Sequence, residues 1–380
     1  MTGPVYLDYN ATTPVDEAVA AAMTVALTEL FGNPSSAHVF GQRSREAVAH
    51  ARAQVATLIG ATPDEIVFTG SATEANNLAL RGAASALAAR GQHLITSAIE
   101  HPSVAEPCLQ LGKQGFSVTV IPVDTWGRID PEAIAAAVRP DTVLISVMHA
   151  NNEVGTLEPI TDIARIARER GIVFHTDAAQ SVGKIPVRVE DLGVDLLTLA
   201  GHKFYAPKGI GALYVRTGTP LSPVLYGGGQ ERRLRPGTEN VAAIVGLGEA
   251  AQLAHARWPM AGTHLEQLRA RLHDGLNGRV PGLVVNGHPT ARLPNTLNVS
   301  FPTVDAQELL LRAADNVAAS TGAACHTGQP ASSVLATMGL DNEQIRGTVR
   351  FSVGWPTTEA EVDLAVERIG QVWERQMAGR

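Results

Sequence analysis

Between about residue 60 and residue 216 the chain alternates two textures, and this restricts its fold more than any other feature. Short β-branched runs end in small or polar residues, and segments with helical apolar spacing follow them. The runs predict strands at Glu65–Thr69, His93–Ser97, Ser117–Val123, Thr142–Met148, Ile172–Thr176, Leu196–Leu199 and Ala212–Arg216. Helices are predicted between them, among them Thr73–Arg90, Pro131–Val138 and Ile160–Arg170. Pro131 after Asp130 suits a first helical turn, and Gly171 just past Arg170 suits a helix stop. Continuous apolar strands with helices between them bury both faces of a mostly parallel sheet. The fold class is α/β.

Length calls for a second unit. At roughly 150 residues per domain, 380 residues make about two. An Ala-rich helical stretch runs from Asn240 to about Ala256, and beyond Pro259 shorter elements lie between prolines and glycines. The expected organisation is a large α/β domain over 13–257 and a smaller α+β domain over 258–380. Residues 1–12 are expected to join the smaller domain or the rim of the site, because their polar cluster has no local partner.

Composition removes several functions. With 30 basic and 37 acidic residues the net charge is −7, so no broad basic footprint for nucleic acid is expected. The longest apolar stretch, Val19 to Leu27, is far short of the roughly 20 residues that span a bilayer. No basic and apolar leader precedes it, so a cytoplasmic protein with reduced thiols and no membrane association is expected. Cys108 and Cys325 are too few for a disulfide framework or a thiolate metal cluster, and no metal site is expected.

Reactive side chains follow the predicted strands. Glu100 and His101 follow one, His149, Asn151, Asn152 and Glu153 a second, Asp177 and Gln180 a third, and His202 and Lys203 a fourth. Open α/β sheets collect ligands at the carboxyl ends of their strands. Each residue alone could be a polar strand end satisfying its own backbone; four such ends in one sheet form a group. Gly70-Ser71-Ala72-Thr73-Glu74 opens a helix with small and hydroxyl residues, which suits either a phosphate or a capping box from Ser71 to Glu74. No P-loop lysine and no dinucleotide glycine fingerprint is present. Asp177 and Lys203 suit pyridoxal phosphate, whose aldehyde takes a lysine amine as a Schiff base and whose ring nitrogen takes a carboxylate. The rival lysines, Lys184 after Gly183 and Lys208 in Pro207-Lys208-Gly209, read as loop or turn residues.

Together with Tyr6-Leu7-Asp8-Tyr9-Asn10-Ala11-Thr12-Thr13, Asn151-Asn152-Glu153-Val154-Gly155, His175-Thr176-Asp177-Ala178-Ala179-Gln180, Arg235-Pro236-Gly237-Thr238-Glu239-Asn240 and Arg350-Phe351-Ser352-Val353-Gly354, these blocks resemble the pyridoxal-phosphate-dependent cysteine desulfurases. Selenocysteine lyases share that branch. The resemblance covers nearly the whole chain and implies an aminotransferase-type fold (fold type I), a homodimer, and conversion of L-cysteine to alanine. The sulfur is held as an enzyme persulfide, for example for iron–sulfur cluster biosynthesis through an acceptor protein. It implies Lys203 as the Schiff-base lysine, Asp177 as the pyridinium partner, Gln180 at the ring hydroxyl and His101 stacked on the ring. Ala72, Thr73 and His202 would cradle the phosphate, and Thr238 would serve the other subunit. Asn152 and Arg350 would receive the substrate carboxylate, a task a guanidinium fork suits.

Two departures stand out: the family's Ser-Gly before Ala-Thr-Glu is Gly70-Ser71 here, and a common cradle serine is Ala200. Weaker cofactor retention is expected from them. Cys108, in a helical-looking segment, reads as a buried structural thiol. Cys325, in the small and polar run Ser320-Thr321-Gly322-Ala323-Ala324-Cys325-His326, reads as either a candidate nucleophile or an exposed thiol without a role; the run resembles the desulfurase catalytic loop, and that resemblance implies the nucleophile. Catalysis is expected from Cys325, Lys203 and His101. The alternative function is release of selenium from L-selenocysteine by the same residues.

Overall fold

The computed structural model describes residues 3–321 and 333–378. Its centre is a seven-stranded sheet in the order Ile66–Thr69, Gly211–Val215, Leu196–Ala200, Val173–Asp177, Thr142–Ser146, His93–Ser97 and Ser117–Ile121. Neighbours run parallel except Gly211–Val215, which is antiparallel to both strands beside it. All seven predicted strands are present, with ends shifted by at most two residues. The helices Ala72–Leu87, Pro131–Ala137 and Ile160–Glu169 likewise fall where apolar spacing and Pro131 place them.

Strand alternation distributes the core between the two faces. Leu94, Leu144, Leu196 and Leu213 pack with helices Ala72–Leu87 and Pro102–Lys113 on one side. Ile95, Ile145, Leu197 and Tyr214 pack on the other with helices Val39–Ile59 and Ile160–Glu169. Both faces are covered, which is why these strands read as unbroken apolar runs.

A second core surrounds a three-stranded antiparallel sheet of Val284–Asn286, Thr296–Ser300 and Thr348–Ser352. The short strand Val5–Tyr6 pairs in parallel with Val317–Ala318, so the N-terminus lies against this C-terminal unit. One expectation is corrected here. The helix expected to stop near Ala256 runs from Val241 to Arg279, straight through Pro259. A proline costs a helix one backbone hydrogen bond, but tertiary packing can outweigh that. The first half buries Ile244, Leu247 and Ala251 in the large core, and the second buries Leu265, Leu268, Leu272 and Leu276 in the small one. Spacing of three or four residues continues past the proline, so one rod links the two cores. Among the described residues no helix is long and apolar enough to cross a membrane.

Candidate active site

Because Thr69 and Ala200 both lie level with Gly211 in the sheet, the helix Ala72–Leu87 and the Lys203 segment leave from the same edge. Asp177 ends its strand opposite Thr198 at that edge. Lys203 closes a short 3-10 turn, Gly201–Lys203, directly after Ala200. Its Nζ donates to the carbonyls of Asn10 (2.7 Å) and Ala11 (2.9 Å). Thr13 completes the strap: its N–H and hydroxyl bond the His202 carbonyl, and its oxygen takes the Tyr205 N–H. Tyr205 pays for the tight exit with φ of 72°, a left-handed value uncommon in non-glycine residues.

Burial first, and then the Arg350 guanidinium, push the Lys203 amine down to about 8, against the opposing pull of Asp177 and Asp8. Such an amine is uncharged far more often near neutral pH than an ordinary lysine, which favours attack on an aldehyde. Burial and the Lys203 charge push His202 down to about 4, so its imidazole is neutral. Its Nδ1 lies 3.1 Å from the Thr12 hydroxyl. With Thr12 donating there, Nε2–H remains a donor.

Asp177 and His101 belong to one hydrogen-bonded chain. Asn76, fully buried in the Ala72–Leu87 helix, donates from Nδ2 to Asp177 Oδ2 (2.7 Å) and to Ser103 Oγ (2.8 Å). Ser103 Oγ lies 2.7 Å from His101 Nδ1, which also accepts the Ser103 N–H at 3.1 Å. A ring nitrogen that accepts a backbone N–H is unprotonated, so the neutral His101 carries its proton on Nε2. The other Asp177 oxygen takes the Ala179 N–H at 2.9 Å.

The opening of the Ala72–Leu87 helix combines both sequence readings. Ser71 accepts the Glu74 N–H (3.1 Å), and Glu74 accepts the Gly70 N–H (2.7 Å), a reciprocal cap. First-turn N–H groups, those of Ala72 and Thr73 among them, have no intrahelical acceptor and can take an anion. Gly211 lies directly beneath, where a Cβ would come within 2.8 Å of the Ser71 carbonyl carbon and 3.0 Å of Ala72 N. The donor set fits pyridoxal phosphate: a half-buried lysine of lowered pKa, a carboxylate held in place by two donors, a helix N-terminus and a neutral histidine.

Arg350 is buried on the strand Thr348–Ser352. It gives Nη2 to Asp8 Oδ1 (2.7 Å) and Nη1 to the Asn152 carbonyl (3.1 Å). Its Nε is buried without a partner among the described residues. A substrate carboxylate at this fork therefore shares it with Asp8 or displaces it. Ser320 exchanges backbone hydrogen bonds with Arg350, which anchors the chain shortly before Cys325. Cys325 and His326 themselves lie outside the described residues. Thr238 is exposed, and the structure does not join it to the other candidates. Cys108 is 2% exposed in the apolar core, and burial with nearby Glu100 pushes its thiol up to about 12, an inert group.

Sequence reasoning missed three members of the site. Asn10 binds Lys203, Lys184, Gln180 and Asn295; Asn76 links Asp177 to His101; Asp8 pairs Arg350. Lys184 lies in a loop, as expected, yet is buried at 6% exposure. The one local hint was Gly183, whose φ of 80° turns the chain inward against Phe204.

Comparison with known proteins agrees with this geometry. Residues 5–365 match the family Aminotransferase class-V. Cysteine desulfurase IscS of Dictyoglomus turgidum is 46% identical over 377 residues, covering 99% of this chain and 96% of the relative. A solved NifS-like protein superposes with a TM-score of 0.92 at 39% identity, covering 98% of this chain and 100% of its own. SspA, solved in complex with cysteine, superposes at 0.82 with 39% identity, covering 92% and 98%. Likeness of this extent means that the chain belongs to the class-V aminotransferase family, in its pyridoxal-phosphate-dependent cysteine desulfurase branch.

Proposed function

We propose that this protein is a cysteine desulfurase that converts L-cysteine to L-alanine and keeps the sulfur as a persulfide on Cys325. The observation that carries the reading is Lys203, a half-buried amine pushed down to about 8 at the sheet edge that also presents Asp177. When bound, pyridoxal phosphate draws electrons from the substrate α-carbon, which makes the carbon–sulfur bond breakable.

The chain's own residues do the rest. Ala72, Thr73 and His202 would hold the phosphate, Asp177 the ring nitrogen and Gln180 the ring hydroxyl, and His101 would cover the ring. Arg350 and Asn152 orient the substrate carboxylate. Lys203 Nζ takes the α-proton in its uncharged form. The Cys325 thiolate attacks the substrate sulfur: a sulfur–sulfur bond forms, the carbon–sulfur bond breaks, and its electron pair stays with carbon. A proton at that carbon and the return of the α-proton from Lys203 to the α-carbon leave alanine, and His101 Nε2–H is the acid placed to manage protons nearby.

In this reading 13–257 holds the cofactor, and 1–12 with 258–380 brings Arg350 and Cys325 to it. A homodimer is supported by exposed Leu27, Phe31, Val39 and Phe40, and by Leu225 and the 88% exposed Tyr226 near the loop that carries Thr238. A cytoplasmic location, where Cys325 stays reduced, and a sulfur-acceptor protein belong to the same proposal. Selenocysteine lyase is not favoured, since the relatives named above include none.

The test is to incubate the holoenzyme with L-cysteine and to measure alanine and Cys325 persulfide together. Cys325→Ala is expected to keep the visible cofactor band and to lose both products. Turnover at the wild-type rate in that variant overturns the assignment.

A further inference from the structure

Lys184 is the one buried lysine that the reaction above leaves unused. Its Nζ donates to Gln180 Oε1 at 2.7 Å and to Asn10 Oδ1 at 2.9 Å. Among the described residues it has no carboxylate partner, although burying an unpaired ammonium is costly. Burial first, and then the charges of Lys203 and Arg350, drive its pKa well below the ordinary lysine value.

The partners on the far side fix what this pair of bonds does. Gln180 Nε2 donates at 3.0 Å to the Asn10 carbonyl, which can only accept. The amide is therefore held from both ends, with its oxygen on Lys184 and its NH2 group turned away from it. That NH2 group has a second N–H, beyond the one given to Asn10. Without Lys184 the buried Gln180 oxygen would lose its donor, and turning the amide over would set its oxygen against the Asn10 carbonyl.

We propose that Lys184 is a positioning residue for the cofactor: it locks Gln180 with its NH2 group toward the ring hydroxyl, and so sets how tightly the lysine–cofactor nitrogen holds its proton. This rests on the reading of the site given above. A donor on the ring oxygen draws away the negative charge that helps to hold that proton. Losing the donor therefore raises the pH at which the proton leaves. The charged and titratable groups around Lys184 and Lys203 are Arg350, His202, Asp177 and Asp8, and all stay in place in the variants below.

The experiment titrates the visible band of the holoenzyme from pH 6 to pH 10 without substrate, in wild type, Lys184→Met, Gln180→Leu and the double variant. Each single change is expected to raise the midpoint by about one pH unit. The double variant is expected to rise by the same amount and no further, because both changes remove one interaction. Additive shifts overturn the proposal, since Lys184 would then act by its charge rather than through Gln180. An unmoved midpoint in Lys184→Met also overturns it. If Lys184→Met does not give folded protein, the same cycle run with Lys184→Leu, which likewise carries no donor, decides by the same criterion. A wild-type protein with no visible band would instead refute the proposed function, so the two failures are distinct.

Discussion

Glu100 precedes His101 at the site, and replacing it by glutamine should make the protein's stability less sensitive to pH. Its Oε1 accepts the Ser97 hydroxyl (2.6 Å) and the Met148 N–H (2.8 Å), while Oε2 is buried without a partner among the described residues. Burial outweighs those two hydrogen bonds and pushes the carboxyl from 4.5 up to about 8. In the unfolded chain the group ionises near 4.5, so between these values the folded state holds a proton that the unfolded state has lost. Stability then falls as pH rises through that window and levels off above about 8. At about 1.4 kcal/mol per pH unit, the contribution is about 4 kcal/mol between pH 5 and pH 8.5. Glu158, also pushed up to about 8, acts with the same sign, while His149 and His175, pushed down to about 4, act oppositely at lower pH. The two histidines are common to wild type and Glu100→Gln, so the difference between the two proteins reads Glu100 and its effect on Glu158. Relief of the Glu158 carboxyl, which Glu100 helps to raise, adds in the same direction. The assay is urea unfolding of cofactor-free protein at pH 5, 6, 7 and 8.5. Glu100→Gln is expected to gain stability over wild type with rising pH, by a few kcal/mol across the range. A difference that stays flat refutes the burial argument.

Other consequences follow from single contacts. Cys108→Ala should leave cysteine turnover within about twofold of wild type and cost about 1 to 2 kcal/mol of stability in chemical unfolding, as a core thiol of no catalytic use does. Gly183→Ala should cost several kcal/mol in the same assay, because its φ is +80° and a Cβ would lie 2.6 Å from Phe204 Cβ. Arg350→Lys, which keeps the charge but loses the fork, should raise KM for cysteine by about tenfold or more with a smaller change in kcat; steady-state kinetics checks it.

The large sheet was legible because its strands are buried on both faces and so carry an unbroken apolar pattern. Asp177, Gln180 and Lys203 were legible because the carboxyl edge of such a sheet is a known place for ligands. Asn10 was not, for it reaches Lys184 across 174 positions and Lys203 across 193. No local periodicity signals contacts of that range. Lys184 looked like any loop lysine because part of its burial comes from Asn10 in the N-terminal strap, far away in sequence. Pro259 looked like a helix end, and only the second core explains why the helix continues. Thr238, exposed in one chain, acquires its role only in the proposed dimer.

The most direct test of the account is to reduce the purified yellow holoenzyme with borohydride and find the cofactor-labelled residue by peptide mass spectrometry. The label is expected on Lys203, with Lys184 and Lys208 unmodified. A label on Lys184, or a colourless protein that takes up no pyridoxal phosphate, contradicts it.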